Sequence, residues 1–123
     1  MHATHHERSG PVAVFGATGA VFSALSVGLA AYASHGAEGD ARARLMLAAV
    51  FAFGHGVALA ALAPHAVRRL GAIALGAWCA GVVLFSGSLS AAALWQAPTT
   101  LAPTGGTLLI AGWLLFALHC LKR

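Results

Sequence analysis

Residues 45–63 read LMLAAVFAFGHGVALAALA, with no acid, lysine, arginine or proline and a single histidine, His55, near the middle. An α-helix rises about 1.5 Å per residue, and the hydrocarbon core of a bilayer is about 30 Å thick. A run of this length and composition therefore spans a membrane. The rest of the chain agrees with that solvent. Hydrophobic residues make up 59% of the 123 positions and charged residues 8%. A soluble domain is roughly a quarter charged, and so few charges could not clothe a surface in water. In lipid a helix satisfies its own backbone and needs no polar outer face.

Working outward, three more runs qualify, at residues 12–33, 70–95 and 101–121. The fold class predicted is all-α, an integral membrane four-helix bundle behind a short polar tail at residues 1–11. Ser34 to Arg44 carries two glycines, two acids and two arginines, and is expected to break the first run. Pro64 closes the second, and Pro98 and Pro103 bracket a tight turn before the fourth. Proline lacks the backbone donor and suits a helix end. Arg8, the first apolar run and Ala31-Tyr32-Ala33 also resemble a secretory signal with its cleavage site. A signal core has about 7–15 apolar residues, shorter than this run, so the segment is read as a retained helix.

Orientation follows from the basic residues of the short loops. Arg8, Arg68, Arg69, Lys122 and Arg123 fall on one side of the membrane; Arg42 and Arg44 fall on the other, beside Glu38 and Asp40. Both termini are expected in the cytoplasm. The net charge of +4 is scattered between apolar runs rather than gathered on one face. It implies contact with lipid headgroups and gives no sign of nucleic-acid binding.

Helices associate in lipid through small residues. Gly16, Ala20 and Ala24 in the first run, with Gly19, Ser23 and Ser26 beside them, form such a face, as do Ala48, Ala52 and Gly56 in the second. Gly76, Gly81 and Gly87, and Gly105, Gly106 and Gly112, serve the third and fourth. Trp95, at a span end, fits an interfacial belt; Trp78 and Trp113 fit it less well.

His55 lies about ten residues into the second span, and ionisable groups at that depth usually face the bundle interior. Equal depth in the other helices falls near Ser23, Ser86 and Gly112. This predicts a mid-membrane polar layer in which His55 bonds to Ser23 or Ser86. His35, Ser88, Ser90 and Thr104 would line an outer mouth above it, near Thr107. Three uses of His55 stay open: a neutral tie between helices, a site for a proton, lipid headgroup or small ligand, and a haem or metal ligand. A bis-histidine version of the last would need His35 at a similar depth, which the spacing disfavours. His2, His5 and His6 read as a polar tail, and His65 and His119 as interfacial residues. Cys79 and Cys120 have no metal-ligand spacing and read as packing residues. No cofactor or metal is expected. All three acids lie outside the spans, and no nucleophile elbow, phosphate loop or zinc motif occurs, so no catalytic residue is assigned.

Ser34-His35-Gly36, His55, Leu84-Phe85-Ser86-Gly87-Ser88-Leu89, Ala102-Pro103-Thr104-Gly105-Gly106 and Gly112-Trp113 occur in that order. In this the chain resembles the small membrane family of bacterial YgdD proteins and eukaryotic transmembrane protein 256. The resemblance covers nearly the whole chain and implies a four-helix protein of the bacterial plasma membrane, without a settled biochemical role. It places His35, His55, Ser86 and Ser88 on motif positions. The turn before His55 departs from the family in being apolar, at Val50, Phe51 and Ala52. The role expected is a non-enzymatic multi-pass protein of the inner membrane, self-assembling or accessory to a membrane complex. The rival is a small-ligand, lipid or proton binding or transport protein built around His55.

Overall fold

The computed structural model describes residues 2–66 and 68–122, with side chains from Gly10 onward. The side chains of His2, His5, His6, Glu7 and Arg8, and all of Arg123, lie outside the described residues. Four α-helices follow one another: α1 (His2–Gly36), α2 (Gly39–Leu62), α3 (Arg69–Trp95) and α4 (Ala102–Leu121), with a 3-10 turn at Ala63–His65 between α2 and α3. All four are long and apolar enough to cross a membrane. The bundle is the one read from the four apolar runs.

Three boundaries differ from the sequence reading. Helix α1 continues back to His2 through the residues expected to form a tail, with Pro11 inside it. The expected break at Ser34 to Arg44 shrinks to Ala37 and Glu38, and Arg42 and Arg44 sit on α2. Gly39 makes this sharp reversal possible, because its φ of 60° lies in the left-handed region that side chains disfavour. At the other hairpin Pro103 falls in the first turn of α4, where its missing donor is harmless. The chain leaves α3 through Gln96, which adopts a left-handed conformation with φ of 57°. The amides of Gln96 and Ala97 then close on the carbonyls of Ala92 and Ala91, a Schellman-type cap.

Neighbours in sequence are neighbours in space: α1 packs on α2, α2 on α3, and α3 on α4. Helices α2 and α3 are the inner pair, with 39% of each span buried inside the protein against 11% for α1 and 22% for α4. The principal core consists of Ala52, Leu59, Ala63, Ala66, Leu75, Trp78, Val82 and Leu109. A smaller cluster of Ala48, Leu89 and Ala102 holds the opposite end.

Burial of apolar surface does not drive association when lipid is equally apolar, so close contact must do it. The two hairpins show where. A Cβ on Gly19 would stand 2.8 Å from Ala60 N and closer still to the Gly56 carbonyl, and one on Gly56 would stand 2.6 Å from the Gly19 carbonyl. In the second hairpin, a Cβ on Gly81 would meet Leu109 at 2.6 Å, and one on Gly105 would collide with the backbone of Phe85. Each hairpin is thus closed by a glycine pair at its crossing. The Gly19, Ser23 and Ser26 side of α1 is the packed one. The Gly16, Ala20 and Ala24 side, expected to pack, is largely open.

Candidate functional site

His55 is 7% exposed and lies where α2, α3 and α4 converge. Its Nδ1–H donates to the Phe51 carbonyl one turn back, at 2.8 Å. Its Nε2 accepts from the indole N–H of Trp113 on α4, at 3.0 Å. These roles fix the ring as a neutral imidazole protonated on Nδ1. A neutral imidazole has one donor and one acceptor, and both are used.

An aromatic cluster surrounds this bond. The Trp78 and Trp113 rings lie 4.2 Å apart, and the His55 ring is 6.1 Å from Trp78 and 5.8 Å from Trp113. Phe51 meets Phe85 at 4.8 Å on one flank, and Phe116 meets Trp78 at 5.5 Å on the other. Gly112 makes room for it: a Cβ there would stand 2.6 Å from the Trp78 ring. The Gly112-Trp113 pair thus does two jobs on consecutive residues. The glycine admits the Trp78 ring, and the tryptophan reaches His55. The Trp78 indole N–H is buried without a partner. Its ring sits against Trp113 and Gly112.

The expected polar layer is not assembled. Ser23 Oγ donates to the Gly19 carbonyl of its own helix at 3.0 Å and stands beside Gly56, away from the His55 ring. Ser86 Oγ donates to the Ala48 carbonyl at 2.8 Å, tying α3 to α2 seven residues before His55. His55 therefore bonds to neither serine. Its partner is a tryptophan whose neighbour, Gly112, was the residue expected at that depth.

The outer residues also separate. His35 and Thr104 are exposed, whereas Ser88 is buried and Ser90 half-buried, both with hydroxyls lacking a partner. Thr107 donates to the Pro103 carbonyl at 2.9 Å. His119, read as interfacial, is 4% exposed; its Nε2–H donates to the His65 carbonyl at 2.9 Å and holds α4 against the α2–α3 connection. Arg68 Nη1 reaches the Lys122 carbonyl nearby, at 3.3 Å. Among the described residues no group of three or more His, Cys, Asp or Glu is placed to hold a metal ion.

The aromatic cluster is the feature that the residue-by-residue reading missed. Its signal was the poor fit of Trp78 and Trp113 to an interfacial belt. A second signal was the spacing of Trp113, Phe116 and His119 at intervals of three, one face of α4.

Residues 29–106, from the end of α1 to the start of α4, match the family described as Protein of unknown function (DUF423). The chain belongs to this family. Among its relatives is the "UPF0382 membrane protein" of Haemophilus influenzae, 32% identical over 104 residues, covering 78% of this chain and 84% of that one. No solved structure matches. The DUF423 match includes His35, His55, Trp78, Ser86 and the APTGG stretch, while Ser23, Trp113 and His119 lie outside it. The DUF423 family thus fits the small four-helix membrane family read from the sequence motifs.

Proposed function

We propose that this protein is a non-enzymatic, multi-pass subunit of the bacterial inner membrane that acts through helix packing, in self-assembly or as an accessory subunit of a larger complex. The observation that carries this is α1. One edge is locked onto α2 at Gly19, while Gly16, Ala20, Ala24 and Gly28 stand open along the other, with nothing within 4 Å of a Cβ at Gly16 or Gly28. Lipid gains nothing from a ridge of small residues, but another helix does, because backbones can approach there. The internal bonding of His55 supports the same reading. Both ring nitrogens are engaged within the chain, so a ligand, proton or haem at His55 would have to displace Trp113 or the Phe51 carbonyl.

Native mass spectrometry of the protein, extracted gently from its own membranes, tests this. A stoichiometric membrane-protein partner or a homo-oligomer is the expected result. A monomer that carries a small molecule, lost in His55→Leu, would refute it in favour of a binding protein.

A further inference from the structure

The APTGG stretch is only half explained by helix packing. Gly105 is needed at the α3–α4 crossing, but Gly106 is not: a Cβ there would meet Phe85 only at 3.7 Å, an ordinary contact. Gly106 instead helps line an open surface groove of about 380 Å³, together with Arg44, Phe85, Leu89, Thr99 and Ala102. Helices α2 and α4 both pack on α3, so the groove is the wedge between them. Phe85 and Leu89 on α3 lie toward its depth, and Arg44 comes in from α2.

Its position across the membrane is set by aromatic residues. Trp95, 75% exposed, ends α3, and Tyr32, 50% exposed, lies one turn from the end of α1 at the same pole. Such residues sit at headgroup level. Phe85 is ten positions before Trp95 on the same helix, so the groove reaches roughly 15 Å below that level. Arg44, exposed in the second turn of α2, lines the groove from the side of that pole. Asp40, one turn earlier on α2, is the nearest acid in sequence. A guanidinium has five N–H donors, so a shared carboxylate leaves others for a second anion. The volume lies at the small end of ligand pockets and is far below that of a helix about 10 Å across. A cation at the headgroup level, above aromatic and aliphatic walls in the hydrocarbon, matches a molecule with an anionic head and an acyl tail.

We propose that this wedge binds an anionic amphiphile of the bilayer, its phosphate or carboxylate head on Arg44 and its acyl chain over Leu89 and Phe85. The site is independent of whatever covers α1, and it uses neither His55 nor Trp113. The role of Gly106 is to keep the wedge empty of protein.

The test is native mass spectrometry of the full chain in detergent, titrated with phosphatidylglycerol, with phosphatidylcholine of the same acyl chains, or with inorganic phosphate. An Arg68→Gln/Arg69→Gln background lowers headgroup attraction at the opposite pole. The expected result is a saturable one-to-one adduct with phosphatidylglycerol, and at least tenfold weaker adducts with the other two. Arg44→Gln should weaken the phosphatidylglycerol adduct by about tenfold, the scale of one charge-assisted contact. Gly106→Leu should do the same by filling the wedge. Gly106→Ala, which the 3.7 Å clearance admits, controls for folding and should weaken binding less. Equal binding of the two lipids, equal binding of free phosphate, or full binding by both Arg44→Gln and Gly106→Leu would overturn the proposal.

Discussion

Two glycines three residues apart on α1 should respond in opposite ways to the same methyl group. At Gly16 a Cβ meets nothing within 4 Å. Alanine there gains helix propensity, worth up to about 1 kcal/mol in water, so Gly16→Ala should be neutral or slightly stabilising. At Gly19 a Cβ would stand 2.8 Å from Ala60 N and from Leu59 Cβ, and nearer to the Gly56 carbonyl. These are backbone and Cβ atoms, which no rotamer change can move away. An ordinary contact needs about 3.5 Å, so α1 must retreat by roughly 0.7 Å or more. A gap of that size forfeits a quarter to a half of each affected contact. With roughly thirty atom pairs at about 0.1–0.2 kcal/mol each, the loss is roughly 1–3 kcal/mol, the usual range for overpacking. The assay is reversible unfolding in mixed micelles by an increasing fraction of dodecyl sulfate, followed by far-ultraviolet circular dichroism and tryptophan fluorescence together. Gly19→Ala should unfold at lower denaturant than wild type, and Gly16→Ala at the same or higher. If Gly19→Ala proves as stable as Gly16→Ala, the glycine crossing does not hold α1 in place and the reasoning fails.

Two further outcomes are expected. Trp113→Phe keeps an aromatic ring beside Trp78 but removes the donor to His55 Nε2; it should cost about 0.6–2 kcal/mol in the same assay, the range for interhelical hydrogen bonds in lipid, and shift the His55 ring nitrogen resonances, and an unchanged ring spectrum would show that the bond is absent in solution. Cys120 is exposed at the pole of Lys122, so with cytoplasmic termini a membrane-impermeant maleimide should label it in broken membranes and not in intact spheroplasts, whereas labelling of intact cells would invert the orientation.

The spans were legible because each apolar run is long and the charges between runs are few. Their ends were less so. Ser34 to Arg44 has the composition of a loop, yet Gly39 alone turns the chain, and the arginines extend α2 toward the headgroups. The depth of His55 was also legible, since counting residues along antiparallel helices leads to Gly112. Its partner was not. Depth fixes position along a helix but not rotation about its axis. Rotation here is set by the glycine crossings, which turn Ser23 toward Gly56 and bring Trp113 over His55. A serine is a natural guess for a buried histidine, but the tryptophan offers an equivalent donor on a longer arm.

The two kinds of contact in this bundle divide along the chain, apart from the Arg68 to Lys122 bond that joins the ends of the second hairpin. The glycine crossings lie within hairpins, Gly19 with Gly56 and Gly81 with Gly105. The three hydrogen bonds from Ser86 to Ala48, Trp113 to His55 and His119 to His65 all join one hairpin to the other. The Gly19–Gly56 crossing can close once α2 has emerged, across a connection of only Ala37 and Glu38. The second closes the same way on itself. Until α4 has entered the bilayer, Nε2 of His55 lacks the donor that Trp113 supplies. The close fit within each half thus needs only its own two helices, whereas the Trp113 and His119 bonds need the whole chain in place.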